Sequence, residues 1–230
     1  MEYPEFVRIL SSQRMKRYTE ATLNDTRKAM ALYRYNLRLS QEMFTIVSCF
    51  EVALRNAIDA QLVPTLGEEW LKNAILPNGI FTNGRMNETK KIIERAYDRL
   101  TRQGNYSHSK LIAEMEFGVW KYMFSSLQYR ATGQRLLRVF PYKPRSSAST
   151  QYNNSYIFNE LDKVNSLRNR IAHHEPICFK LHESEIDTSY IINEYQKIQT
   201  LFSWMGIDSH SMLYGLDHVQ SVCAKINSLK

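Results

Sequence analysis

Arg168 and His173 stand five positions apart in the stretch Ser166-Leu167-Arg168-Asn169-Arg170-Ile171-Ala172-His173-His174-Glu175-Pro176. A guanidinium keeps its charge at any physiological pH, and imidazole is the side chain that ordinarily titrates near neutrality. One can stabilise charge on phosphoryl oxygens while the other moves a proton, so the pair suits phosphodiester chemistry. Asn169, four residues before His173, could orient the imidazole or bind phosphate.

These residues need a rigid carrier, and the spacing predicts one. Leu161, Val164, Leu167 and Ile171 recur at intervals of three and four, which is the helical period. Asn154 or Ser155 offers a cap at the start, and Pro176 disfavours helical geometry at Glu175, so the helix should stop near His174. At about 100° per residue, Arg168 and His173 point about 140° apart, with Asn169 and Ala172 between them. His173 faces away from the apolar stripe and His174 falls near its edge. The chemical role therefore goes to His173 first. On spacing alone, such pairs are common at helix ends, where cations face water and favour the negative end of the dipole.

The whole string carries more than the spacing. Leu-Arg-Asn-x-Ile-Ala-His-His resembles the signature of the Abi-like (abortive infection) proteins, a branch of the HEPN superfamily defined by an Arg and a His separated by four to six residues. Arg14-Met15 through Tyr33, Phe50-Glu51-Val52-Ala53-Leu54-Arg55-Asn56 and Glu116-Phe117-Gly118-Val119-Trp120 resemble that family too. One departure is Glu175-Pro176-Ile177-Cys178, where the family would place a basic residue and an aromatic. The resemblance implies an all-α, HEPN-like helical bundle with additional helices, and an endoribonuclease that needs no metal or other cofactor. Arg168, Asn169 and His173 would be catalytic there, with His174, Glu51 and Arg55 in support. It further implies a homodimer that brings two motif helices to one cleft, a place in bacterial phage defence or a toxin system, and an inhibitory RNA or protein antitoxin as a further partner. The alternative is a non-catalytic RNA-binding or protein-interaction defence module.

Glu51 and Arg55, four apart with the acid first, also have the spacing of a surface ion pair. The resemblance adds a supporting role in which Glu51 orients Arg168 or His173.

Composition agrees with a helical chain. Of 230 residues 43% are hydrophobic, with only 8 Gly and 6 Pro, which excludes disordered and turn-rich classes. The expectation is a single domain over 1–230. No apolar run is long enough for a membrane helix, and Met1-Glu2-Tyr3-Pro4 lacks the plan of a secretory signal, so a cytoplasmic protein without a membrane partner is expected. Cys49, Cys178 and Cys223 form no Cys-x-x-Cys pair and read as core thiols, not as zinc or disulfide residues. There is no Gly-rich phosphate loop, zinc helix or serine elbow.

Helices are predicted over 22–36, 40–62, 85–102, 107–129, 155–174, 184–204 and 213–229, with a short hairpin around Ile80-Phe81 between two turn signals. An exposed loop is predicted over 141–154. A net charge of +7 and a pI near 9.2 favour a polyanion, and RNA above a small metabolite. The basic groups are Arg14, Lys16 and Arg17; Lys90 and Lys91; Arg135 and Arg138; and Lys143 and Arg145. Tyr18, Tyr129, Tyr142 and Tyr152 near them could stack on unpaired bases.

Overall fold

The computed structural model describes residues 1–82 and 84–230, and its described residues are all-α. The helices are α1 (Tyr3–Leu10), α2 (Ser12–Ala21), α3 (Thr26–Leu66), α4 (Trp70–Asn73), α5 (Asn87–Arg102), α6 (His108–Glu114), α7 (Phe117–Tyr122), α8 (Ser126–Ala131), α9 (Asn154–Ala172), α10 (Ser189–Trp204), α11 (Ser209–Met212) and α12 (Val219–Asn227). Among the described residues, none of these is long and apolar enough to cross a membrane.

The chain divides into two compact units. The first holds Met1–Ser48, Ser166–Thr200 and Asp208–Lys230; the second holds Cys49–Asn165 and Leu201–Ile207. In the first, Phe6, Tyr33, Tyr18 and Phe179 form a chain of edge-to-face rings with centroids 5.5, 5.2 and 5.0 Å apart. Arg34 lies over Phe6 at one end and Arg17 over Phe179 at the other, each within cation–π range. In the second, Phe50 meets Phe117 and Phe202 at 6.3 and 5.2 Å, and all three rings are fully buried.

Several elements differ from the sequence reading. The two helices expected over 22–36 and 40–62 are one helix, α3. Leu32, Asn36, Leu39, Met43, Ile46 and Phe50 are buried at unbroken intervals of three and four, so the apolar stripe crosses the assumed gap. Asn36 does not break the helix because its side chain has a buried partner, accepting from the Ile177 N–H at 2.8 Å.

The helix expected over 107–129 is instead three short ones. Met115 and Glu116 are extended between α6 and α7, as is Ser125 before α8. Met115, Phe117, Val119, Trp120, Met123 and Phe124 are all buried. On one straight helix they would spread over about 200°, wider than a single buried face, so breaks are needed to turn them inward.

The hairpin around Ile80-Phe81 does not form. That segment is a run of turns, with Phe81 buried and its N–H donating to Ala74 O at 2.9 Å. Gly79 is required in this turn, because a Cβ there would lie 2.4 Å from the Ala74 carbonyl oxygen. The antiparallel bridge among the described residues pairs Phe179 with Ile186. The segment 141–153 is loop and largely exposed. It is anchored at Tyr142, whose N–H donates to Trp204 O at 3.0 Å.

Candidate functional site

The apolar stripe of α9 is laid down as its spacing predicts, with Ile157, Leu161, Val164 and Leu167 at most 1% exposed and Ile171 at 8%. Its cap is Asn153, whose side chain accepts from the Tyr156 N–H at 3.0 Å. That is one position before the expected Asn154 or Ser155, and the Asn154 side chain donates to Phe124 O instead.

The helix closes at Ala172, two residues earlier than expected. His173 is the half-helical residue after it, its N–H still donating to Asn169 O at 2.9 Å. His174 takes a left-handed conformation with φ +56°. Two hydrogen bonds complete the turn: His174 N–H to Ile171 O at 3.0 Å, and Glu175 N–H to Arg170 O at 2.9 Å. This is the Schellman pattern. Helices α5 and α10 end with the same pair of bonds, but there the left-handed residue is Gly104 or Gly206. The motif helix places a histidine where glycine carries no steric cost.

Because the chain turns at His174, its imidazole leaves the helical path. His174 is exposed and does not lie at the edge of the stripe as expected. His173 and Asn169 are exposed as well, and Arg168 is half-buried. The last turn of α9 therefore offers a guanidinium, an amide and an imidazole to whatever approaches that end of the helix.

Three side chains, Arg170, Asn36 and Arg14, fix this turn, all within the first unit. Arg170 lies over the Tyr190 ring at 5.1 Å while donating to Glu175 Oε2 and to Pro176 O, each at 3.2 Å. Glu175, which departs from the family pattern, thus closes the turn beneath the histidines. Asn36 holds Ile177 just beyond. Arg14 of α2 donates to the carbonyl oxygen of His174 itself. Spacing could not disclose that last contact, since it joins residues 160 positions apart.

Glu51 and Arg55 lie on α3 in the second unit, both half-buried. The Arg55 Nε is buried without a hydrogen-bond partner among the described residues. The basic groups differ in surroundings. Lys90 and Lys91 are engaged with Glu94 and Glu88 at 3.5 and 3.6 Å, whereas Arg135, Arg138 and Arg145 are exposed. Of the tyrosines expected to stack on bases, Tyr18 and Tyr129 are core residues and cannot offer an open face. Tyr142 is 71% exposed. Tyr152 packs edge-on against Trp204 at 5.6 Å.

The model of the Abi-like protein family matches residues 3–178, from the first helix to just past the motif turn. The chain belongs to the Abi-like family. The match covers more than half of the chain and includes α9 together with Arg168, Asn169 and His173. Membership fits a broad place in abortive infection, a class of phage defence. No curated protein and no solved structure matches the chain.

Proposed function

We propose that this Abi-like protein is an endoribonuclease of HEPN type, working in the bacterial cytoplasm as a defence or toxin component. The observation that carries this reading is the end of α9. Arg168, Asn169 and the exposed His173 follow one another there, ahead of and into a turn closed by two backbone hydrogen bonds and tethered by Arg14.

The reaction that fits is attack of a ribose 2′-hydroxyl on the adjacent phosphorus. The P–O5′ bond breaks, leaving a 2′,3′-cyclic phosphate on one fragment and a 5′-hydroxyl on the other. The nucleophile belongs to the substrate, so no metal is needed to generate it. His173 takes the 2′-proton or gives one to the departing 5′-oxygen, and Arg168 stabilises the charge that grows on the phosphoryl oxygens. Asn169 orients the imidazole or binds phosphate. One imidazole cannot do both proton transfers at once. A second copy supplying its own His173 resolves this, so the working form is a homodimer held in check by an inhibitory RNA or protein partner.

The test is incubation of purified protein with total RNA in EDTA, followed by identification of the fragment ends. Cyclic phosphate and 5′-hydroxyl ends are expected, and a 2′-methoxy group at the cut site should block scission. Tight binding that leaves RNA intact under every partner condition, and that is indifferent to Arg168→Ala, would replace the enzyme by an RNA-binding or protein-interaction module.

A further inference from the structure

Beside the motif turn, and within the same unit, lies a hollow of about 340 Å³ lined by Ser11, Gln13, Arg14, Arg17, Tyr18 and Pro176. No carboxylate is among its lining residues. Ser11 caps the start of α2, accepting from the Arg14 N–H at 3.2 Å, so the positive end of that helix opens here.

Both arginines are already oriented by backbone. Arg14 donates to His174 O, and Arg17 donates to Lys180 O and Glu183 O while lying 4.7 Å over Phe179. Each guanidinium has five N–H donors, so these bonds leave others for a ligand.

The decisive residue is Tyr18. It is 1% exposed, wedged between Tyr33 and Phe179, yet its hydroxyl has no hydrogen-bond partner among the described residues. A buried hydroxyl left unpaired costs about 1–3 kcal/mol, a cost that an acceptor in the hollow would remove. Burial above all, and then the neighbouring Cys178 thiol, push the phenol pKa up, so the group remains a donor through the physiological range.

We infer that this hollow is a phosphate subsite, in which Tyr18 Oη, Arg14 and Arg17 hold a phosphodiester of the RNA strand next to the one that is cleaved beside His173. The inference rests on the nuclease reading for the identity of that strand. The three residues from His173 to Pro176 reach at most about 11 Å, which keeps the hollow within one strand's neighbouring linkages of the imidazole. Arg14 then has two functions, since the guanidinium that meets the phosphate also tethers the motif turn.

The experiment uses a short single-stranded RNA with 2′-methoxy sugars, which binds without being cut, and walks one uncharged methylphosphonate linkage along it. For the wild-type chain, neutralising one linkage beside the cut site should weaken binding about tenfold, the size expected of a hydrogen bond to a charged group. Tyr18→Phe should weaken binding of the fully charged strand by a similar factor and lose less than wild type when that linkage is neutralised, since only Arg14 and Arg17 still meet it. Its melting temperature should not fall, because the change removes an unpaired hydroxyl and keeps the ring.

Equal binding by Tyr18→Phe and wild type, or no single sensitive linkage, overturns the subsite. So does stabilisation of wild type, but not of Tyr18→Phe, by inorganic phosphate when strand binding is the same for both; the hollow would then serve free phosphate. Cleavage of unmodified RNA is scored separately. Tyr18-dependent binding without cleavage supports the subsite and removes the nuclease reading, and cleavage with Tyr18-independent binding does the reverse.

Discussion

His173 and Arg168 carry different parts of the proposed chemistry, and their substitutions should separate. A positioned general acid or base typically contributes 10²–10⁴-fold, so His173→Ala should lower the cleavage rate at least about a hundredfold. Its exposure means the fold loses little, and the thermal midpoint should stay within a degree or two of wild type. A fully active His173→Ala would assign the chemistry elsewhere. Arg168→Lys keeps the charge but loses the planar fork that can meet two phosphoryl oxygens, so cleavage should fall about tenfold or more. Unchanged cleavage by the Lys variant would mean that positive charge alone suffices.

At the level of the element, the end of α9 explains why His174 is not an equivalent of His173. Sequence spacing sets both on one helix and gives His174 a share in the core. The left-handed turn removes it from both. A β-carbon in this conformation costs about 1–2 kcal/mol, so His174→Gly should retain the turn and hold or raise the melting temperature by about 2 °C. His174→Val, branched at the β-carbon, should lower it. Loss of cleavage in a well-folded His174→Gly protein would show that the second imidazole takes part in the chemistry.

The stripe of α9 was legible because each buried position answers to the same helix. Its exact stop was less so, since closure at Ala172 depends on Arg170 reaching Glu175, Pro176 and Tyr190. The joining of two expected helices into α3 was hidden for a related reason. Asn36 reads as a breaker until its partner, the Ile177 N–H, is brought to it from a distant part of the chain. Helices α1 and α2 are absent from the sequence reading, although α2 supplies both Arg14 and Tyr18 to the first unit.

For the molecule as a whole, helical class and family follow from short-range pattern, because periodicity and motif strings are local. The all-α expectation holds among the described residues, and the family match spans most of the chain. Partners are a different matter, because nothing local to the sequence sets how many copies assemble. The proposed homodimer rests on chemistry: transesterification moves one proton from the 2′-oxygen and another to the 5′-oxygen, while each chain offers one exposed His173 and one Arg168. A two-fold interface uses the same patch on both copies, so it can bring two such helix ends to one strand. Light scattering at micromolar concentration should therefore report a mass near 54 kDa, twice the 27.1 kDa of the chain. Because the shared cleft draws an imidazole from each copy, mixing wild-type with inactive His173→Ala chains should lower cleavage below the share of wild-type chains present, since each mixed dimer holds a single His173. A monomer that retains full cleavage would remove the shared cleft and require the second proton-transfer group to come from within one chain.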